Sequence, residues 1–426
     1  MIWLGAAIVV LVFVGIILKF DTKLCLIFGG ALMCLLGGGL SQAVPAYCAS
    51  LVNGTIVYYT CISLGYSTVM KTMGCTDHII YAALGPLSKV KKIIVPATVV
   101  VTWFFMQALS SAATCAAVEG SIMIPIMTAL GVPAATAAAT ILIGAGGCGP
   151  SLNPGGTFYV ASAQADPLGE ASGAGMVSVG FVPGIIGIFI AGIGVMIMGK
   201  LLDKGDAKAN EEAARKAMEA ASTFKVNPLY AIMPLIPLIL ILTANYTPLL
   251  DAKIFDVPTC MFCGFVLALI VFMKDYKTVS TAFFRGQGDA FFSIITLMAA
   301  AAVFVKGMGA IGITNAIVEA MKNNPSIAKF GAAYIPMIIG MLSGSGNAAC
   351  FAFIESVLPH SHEIGIDHNK LSVVCVGSGS WGRTWSPVAA VTVVLCGISG
   401  AEPMDVIKLT AVPLIVIAAM YIIVLL

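Results

Sequence analysis

Residues 377–387 read GSGSWGRTWSP, and residues 144–154 read GAGGCGPSLNP. The two stretches stand 233 residues apart, which sets Gly146 against Gly379, Gly149 against Gly382 and Pro154 against Pro387. At the same spacing LSSAAT, from Leu109, faces LSGSGN, from Leu342; MKTMG (70–74) faces VKGMG (305–309) at a spacing of 235. One such identity means little in Gly- and Ala-rich sequence. Several polar interruptions recurring in one register mark an internal duplication. Both stretches also fit G-x-G-x-x-G. A dinucleotide fingerprint, however, follows a strand and opens the helix of a βαβ unit, whereas these lie between apolar helical segments. They read as places where a helix is interrupted, not as nucleotide sites.

The composition says which solvent those helices meet. Of 426 residues, 59% are hydrophobic and 10% charged, and the mean hydropathy is +1.01; a soluble domain carries about 25% charged residues. The partner is therefore a lipid bilayer, crossed many times by an all-α chain. Residues 2–18 read as a first spanning helix and not as a removable leader, because no cationic stretch precedes them and no small-residue cleavage site follows. A net charge of +2, with no basic patch, points to no nucleic acid. The twelve cysteines are scattered singly through apolar runs and read as small buried hydrophobes, Cys260 and Cys263 included.

Several apolar runs are only ten to fifteen residues long and are broken by Gly, Pro and Ser. Too short to span, they predict re-entrant hairpins and discontinuous helices. The only real linker is the Ala-, Glu- and Lys-rich 200–227, which divides a first repeat (1–199) from a second (228–426). With Lys19 and Lys23 placed inside, most basic residues, the linker's included, also fall inside. The two hairpins then enter from opposite faces, the repeats are inverted, and both termini lie outside. Such a duplication is the pattern of a secondary transporter whose site lies at the repeat interface. Residues 75–88 and 312–324 occupy matched positions and read as interfacial helices, candidate arms between the two domains.

The candidate substrate-binding residues are the polar groups at the interruptions. An unwound stretch frees backbone groups, and the half-helix that follows offers N–H donors and partial positive charge to an anion. Pro154 and Pro387 fit first-turn positions there. Arg383 adds a full charge in apolar surroundings, where an arginine is a functional hypothesis by default and a bidentate partner for carboxylate; its alternative role is to satisfy loose carbonyls. Asn153, Thr384 and Ser386 flank the same breaks. Ser110, Ser111 and Thr114 stand at the tip of the first hairpin, and Ser343, Ser345, Gly346 and Asn347 at the tip of the second. The tips suit an anion through hydroxyls and amides or a cation through carbonyls, and Ser111 or Ser345 also suits helix capping. Glu119 and Glu355 are candidates for proton coupling, or else face water at a hairpin base.

His360, His362 and His368 lie in HSHEIGIDH, after Pro359. This lacks the H-E-x-x-H spacing of a helical zinc site, so a solvent-facing loop with no metal is expected. No cofactor is expected either, and no catalytic group: an intramembrane enzyme would need paired Asp, Ser–His or H-E-x-x-H inside the spans. With no Walker motif, transport must draw on a gradient or on exchange.

SGSGNAACFAFIE (343–355) with GRTWSPVAAVTVV (382–394) resembles the DcuC family of anaerobic four-carbon dicarboxylate carriers. FFRGQGDAF with VFVKGMGAIG, and LIGAGGCGPSLNPGG with ASAQA, resemble it too; the likeness is strongest over 284–312 and 343–415. The first break departs from the family pattern, GPSLNPGG standing where a Thr-Ser-Gly-Asp type of stretch is usual. The resemblance implies an elevator-type carrier, in which two hairpins and two broken helices move against a dimeric scaffold. It implies a homodimer in the bacterial cytoplasmic (inner) membrane and a dianion substrate such as succinate, fumarate or malate. Residues 343–347 and 382–387 are the site positions it carries over. Na+ or H+ symport and dicarboxylate exchange all stay open. The alternative within the class is a carrier of a tricarboxylate, a short-chain fatty acid or an amino acid.

Overall fold

A computed structural model describes residues 2–18, 20–87, 93–108, 112–202, 224–251 and 254–426. Among them every regular element is a helix. Five helices are long and apolar enough to cross a bilayer: Gly173–Leu202, Pro228–Asn245, Met273–Ile311, Ser326–Ser343 and Pro403–Leu425. A sixth candidate is the pair Leu40–Leu51 and Gly54–Thr72, bent by 46°. The chain is a multi-pass helical membrane protein.

The ends of these helices follow from local chemistry. Asn53, Asp256 and Asp367 cap Gly54–Thr72, Val257–Val271 and His368–Thr384, each accepting a backbone N–H of the first turn. The side chains around the bundle sort by solvent: Trp3, Phe28, Phe189, Phe292 and Ile423 stand exposed, as lipid-facing residues must.

Ile94–Ala108 with Ala112–Ala129, and Pro325–Ser343 with Gly346–Ser356, form two helical hairpins. Gly344, at φ +73°, turns the second. Each hairpin's first arm packs on an interrupted helix, Ala134–Ala145 for the first and His368–Thr384 for the second. Beyond the interruptions lie the half-helices Thr157–Gln164 and Ala390–Ser399. Gly173–Leu202 and Pro403–Leu425 pack on each other, and each also touches both interrupted helices. Around this group stand Gly54–Thr72, Tyr276–Ala290 and Thr296–Ile311.

Three expectations need correction. The glycine pattern at 377–382 does not interrupt its helix: His368–Thr384 runs through it, and the break occupies 385–389. In the first copy the helix does end, at Ala145, because Gly147 adopts φ +75°. The second copy has Ser380 at that register, and a serine stays helical where glycine takes the left-handed form. Pro154 and Pro387 are not in first turns. Both lie within the breaks, three residues ahead of helices that start at Thr157 and Ala390. Finally, HSHEIGIDH is only in part a solvent-facing loop: His362, Glu363, Gly365 and Asp367 are exposed, but the segment is neither irregular nor exposed throughout. It holds a helical turn, Ser361–Ile364, with Ser361 and His368 buried, because His368 is anchored on the carbonyl of Ser162.

Candidate functional site

The glycines of the second pattern serve close packing. A β-carbon on Gly379 would lie 2.8 Å from Gly346 O, and one on Gly382 2.2 Å from Met337 O. Backbone therefore meets backbone between this helix and the second hairpin, which seats the hairpin tip, and Asn347 with it, beside Arg383. In the first copy the close contacts are to side chains instead, Gly144 meeting Thr102 and Gly149 the Trp103 ring.

The first break is tied down by side chains from two other elements. Trp103 Nε1 donates to Pro150 O at 2.9 Å, and Gln107 Oε1 accepts from Leu152 N at 2.9 Å. Trp381 Nε1, from the second interrupted helix, donates to Gly147 O at 3.1 Å. Asn153 turns the chain inward: its Oδ1 accepts from Gly155 N at 2.9 Å and its carbonyl from Gly156 N at 3.2 Å. Unwound backbone at membrane depth is tolerated because its polar groups find these partners.

These elements enclose a cavity of about 360 Å³, at the small end of ligand pockets, which run from about 300 to 1,000 Å³. Gly147 through Thr157 form one wall, Trp103, Met106 and Gln107 a second, and Ser380, Arg383 and Asn347 a third. Helix Gly54–Thr72 closes it with Ser63, Tyr66 and Ser67. Arg383 is the only charged residue among the described lining, and no carboxylate faces it. Its guanidinium makes no ion pair among the described residues. The Ser63 hydroxyl is buried without a hydrogen-bond partner. Among the described residues, the lining thus holds a cation without an ion-pair partner and a buried hydroxyl without a hydrogen-bond partner, both of which suit acceptor oxygens of a ligand.

Of the residues singled out from sequence, Asn153, Asn347 and Arg383 line this cavity. Ser343, Ser345 and Gly346 stand at the neighbouring tip, where Ser343 Oγ accepts from Ser345 N at 3.2 Å and Gly346 packs on the interrupted helix. Thr384 and Ser386 are buried off the cavity. Thr384 Oγ1 donates to Ser380 O at 2.8 Å, and Ser386 O accepts from Thr392 at 2.8 Å. Ser110 and Ser111 lie outside the described residues, as do the side chain of Thr114 and linker positions 203–223. Glu119 is fully buried off the cavity. Glu355 lines a separate cavity with Gln42, Lys306 and Thr314.

Trp103, Gln107, Ser380 and Ser63 were not visible as site residues. The Trp103 indole and the Gln107 amide sit toward the end of an apolar helix, Ile94–Ala108, and only the fold shows that they reach the break. Ser63 belongs to an unbroken helix and carries no local signal.

Residues 53–426 match the family DcuC, described as C4-dicarboxylate anaerobic carrier. The chain belongs to the DcuC family. It is 26% identical over 369 residues to the anaerobic C4-dicarboxylate transporter DcuC of Escherichia coli K12, covering 83% of this chain and 76% of that one. It is 25% identical over 402 residues to the probable anaerobic C4-dicarboxylate transporter DcuC of Vibrio cholerae, covering 89% and 80%. A putative uncharacterized transporter of Haemophilus influenzae is 32% identical over 213 residues, covering 49% of this chain and 76% of its own. A DcuC-family transporter, and not an enzyme, is the class into which the chain falls.

Proposed function

We propose that this DcuC-family protein carries C4-dicarboxylates such as succinate, fumarate and malate across the bacterial cytoplasmic membrane by alternating access, and that the 360 Å³ cavity is the substrate site. The observation that carries the reading is Arg383, the one charged group in a described lining built from the first break, the last turns of His368–Thr384 and the second hairpin tip. Its guanidinium holds one carboxylate. The other faces the N-terminus of Thr157–Gln164 and the amides of Asn153 and Asn347, where N–H donors and partial positive charge favour an anion. The hydroxyls of Ser343 and Ser345 at the same tip, and Ser110, Ser111 and Thr114 at the first, complete the binding surface when the tips close on substrate. Thr384 and Ser386 shape the second break behind Arg383.

Inverted repeats and an elevator-type division are part of the same reading. Support comes from contacts that recur when the halves are exchanged. Thr22–Leu36 lies on Thr296–Ile311 as Val257–Val271 lies on Gly54–Thr72. Each broken helix meets the other half's long closing helix. We assign the hairpins, broken helices and closing helices to the moving part. The remaining helices form the scaffold of a homodimer, with Cys75–Leu87 and Ile313–Asn323 as arms. Thr60 and Thr157, whose hydroxyls lie 3.0 Å apart, and Asn53 with Gln164, at 2.8 Å, are polar contacts across that division.

For the coupling ion we propose H+ over Na+, on the hydrogen bonding of Glu119. Thr102 Oγ1 lies 2.7 Å from Glu119 Oε1 and 2.8 Å from Thr98 O. A hydroxyl has one proton to donate. Both contacts are satisfied together when Glu119 carries a proton, donates it to Thr102, and Thr102 donates to Thr98 O.

The test is uptake of labelled succinate into proteoliposomes, with fumarate or buffer inside, for wild type, Arg383→Lys and Arg383→Ala. Removing a charge-assisted contact worth about 1.5–3 kcal/mol lowers affinity about 10- to 100-fold, with lysine between the two. Uptake by Arg383→Ala at wild-type rate and KM would remove the cavity from the mechanism. Uptake that needs internal fumarate would identify exchange in place of symport.

A further inference from the structure

Away from the cavity, the loop after the first half-helix meets the segment between the second hairpin and the second broken helix. Three side chains converge there: Asp166, His362 and His368. His362 Nε2 lies 2.8 Å from Asp166 Oδ1, and His368 Nδ1 lies 3.9 Å from the same oxygen. All three candidate ligand atoms fall within 4.8 Å of one another. The transport reading uses none of them.

We propose that Asp166 Oδ1, His362 Nε2 and His368 Nδ1 form a binding site for a divalent metal of the zinc class, with water in the fourth position. Two imidazoles and a carboxylate are the ligand types that zinc takes, and three protein ligands plus water make a tetrahedral set. Ligand atoms about 2.0 Å from a tetrahedral ion stand about 3.3 Å from each other. The two spacings to Asp166 bracket that value, so small side-chain shifts complete the set.

The ring of His368 is already turned for the task. Its Nε2 lies 2.7 Å from Ser162 O, a carbonyl that only accepts. Nε2 therefore carries the ring proton, and Nδ1 presents its lone pair, which now meets the Ser361 hydroxyl at 2.9 Å. A metal-ligating histidine is held in this manner, with its other nitrogen donating to a backbone carbonyl.

Asp166 is equally fixed without any metal. Its Oδ2 accepts from Glu170 N at 2.9 Å and Ala171 N at 2.8 Å, and its Oδ1 from Leu168 N at 3.2 Å. What remains is the lone-pair site on Oδ1 that faces His362, where a cation replaces the shared proton. The side chains of Asp166 and His368 are 0% and 3% exposed, and that of His362 is 33% exposed. Two ligands are preorganised and the third offers an entry path from solvent. Occupancy would staple the first half of the chain to the second, across 196 residues of sequence.

The experiment uses the full chain, purified in detergent on a tag without histidine. Zn²⁺ is titrated calorimetrically, and Co²⁺ serves as the spectroscopic probe. The expected result is one equivalent per chain, the intense visible absorption of tetrahedral cobalt, and a melting temperature raised by Zn²⁺. His362→Ala abolishes all three. His360→Ala, which removes a ring that pairs with Glu363 outside the cluster, preserves them. Wild-type protein that binds neither metal at micromolar concentrations overturns the site, and so does His362→Ala binding as tightly as wild type.

Discussion

Gly382→Ala tests the packing that places Arg383. A β-carbon there would stand 2.2 Å from Met337 O and 2.8 Å from both Met337 C and Met337 Cα. An ordinary carbon–oxygen contact is about 3.3 Å, so the second hairpin and the interrupted helix must separate by about 1 Å. The obstructing atoms are backbone, and no rotamer change relieves them. Both arms of the hairpin also approach this helix closely, since a β-carbon on Gly340 would stand 3.2 Å from Arg383 N and one on Gly346 would meet Gly379 O. A local shift therefore has to spread. Overpacking of this kind costs about 1–3 kcal/mol, which for a chain of 426 residues is a fall of about 1–3 °C in melting temperature. Gly288→Ala is the control. It lies exposed within Tyr276–Ala290, with nothing within 4 Å of an added β-carbon, and alanine is favoured in a helix by about 0.5–1 kcal/mol. Tryptophan-fluorescence melting of the purified variants, with succinate uptake measured well below the melt, reads both effects. Gly382→Ala should melt lower and transport more slowly, and Gly288→Ala should match or exceed wild type. Gly382→Ala melting at or above wild type would refute the backbone-contact argument.

The remaining predictions concern the polar groups. Thr102→Val leaves the buried Glu119 carboxyl without its hydroxyl partner and should cost about 1–3 kcal/mol in the same melting assay. Glu119→Gln, whose amide N–H still donates to Thr102, should melt close to wild type but lose uptake driven by a pH gradient while keeping fumarate exchange; pH-driven uptake that survives would detach Glu119 from coupling. Trp103→Phe removes the 2.9 Å bond to Pro150 O and should cost about 0.5–1.5 kcal/mol and raise the KM for succinate, which an unaltered transport assay would contradict. Ser63→Ala removes a buried hydroxyl that has no partner, so stability should hold while KM rises a few-fold; an unchanged KM would take Ser63 out of the site.

Much of the architecture is legible in the amino-acid sequence. The spacing between GAGGCGPSLNP and GSGSWGRTWSP locates both interrupted regions, whereas run length alone misleads at the second hairpin, whose first arm, Ser326–Ser343, is long and apolar enough to cross a bilayer. Arg383 stands out because a lone guanidinium in apolar sequence is costly to bury unless a ligand or freed carbonyls meet it. What stays hidden depends on partners distant in sequence. Whether a glycine breaks its helix is decided by one neighbour, Gly147 against Ser380, that the shared pattern does not include. Trp103 and Gln107 look like ordinary helix residues until the break comes to lie beside them. HSHEIGIDH reads as surface because its hydrogen-bond acceptors, Ser162 O and Asp166, come from the other half of the chain.

The Gly147–Ser380 difference also bears on how a ligand is oriented. Two copies of one unit would by themselves line a cavity with matching ends. Here one copy contributes an unwound chain with a half-helix N-terminus, and the other a continuous helix that delivers a guanidinium from its last turn. Succinate is identical end for end, so either way round it makes the same contacts. Malate is not. Its hydroxyl must lie beside either the arginine or the amides, and the two poses differ in energy. Under the proposed function, the cavity therefore reads the polarity of a four-carbon dicarboxylate as well as its charge.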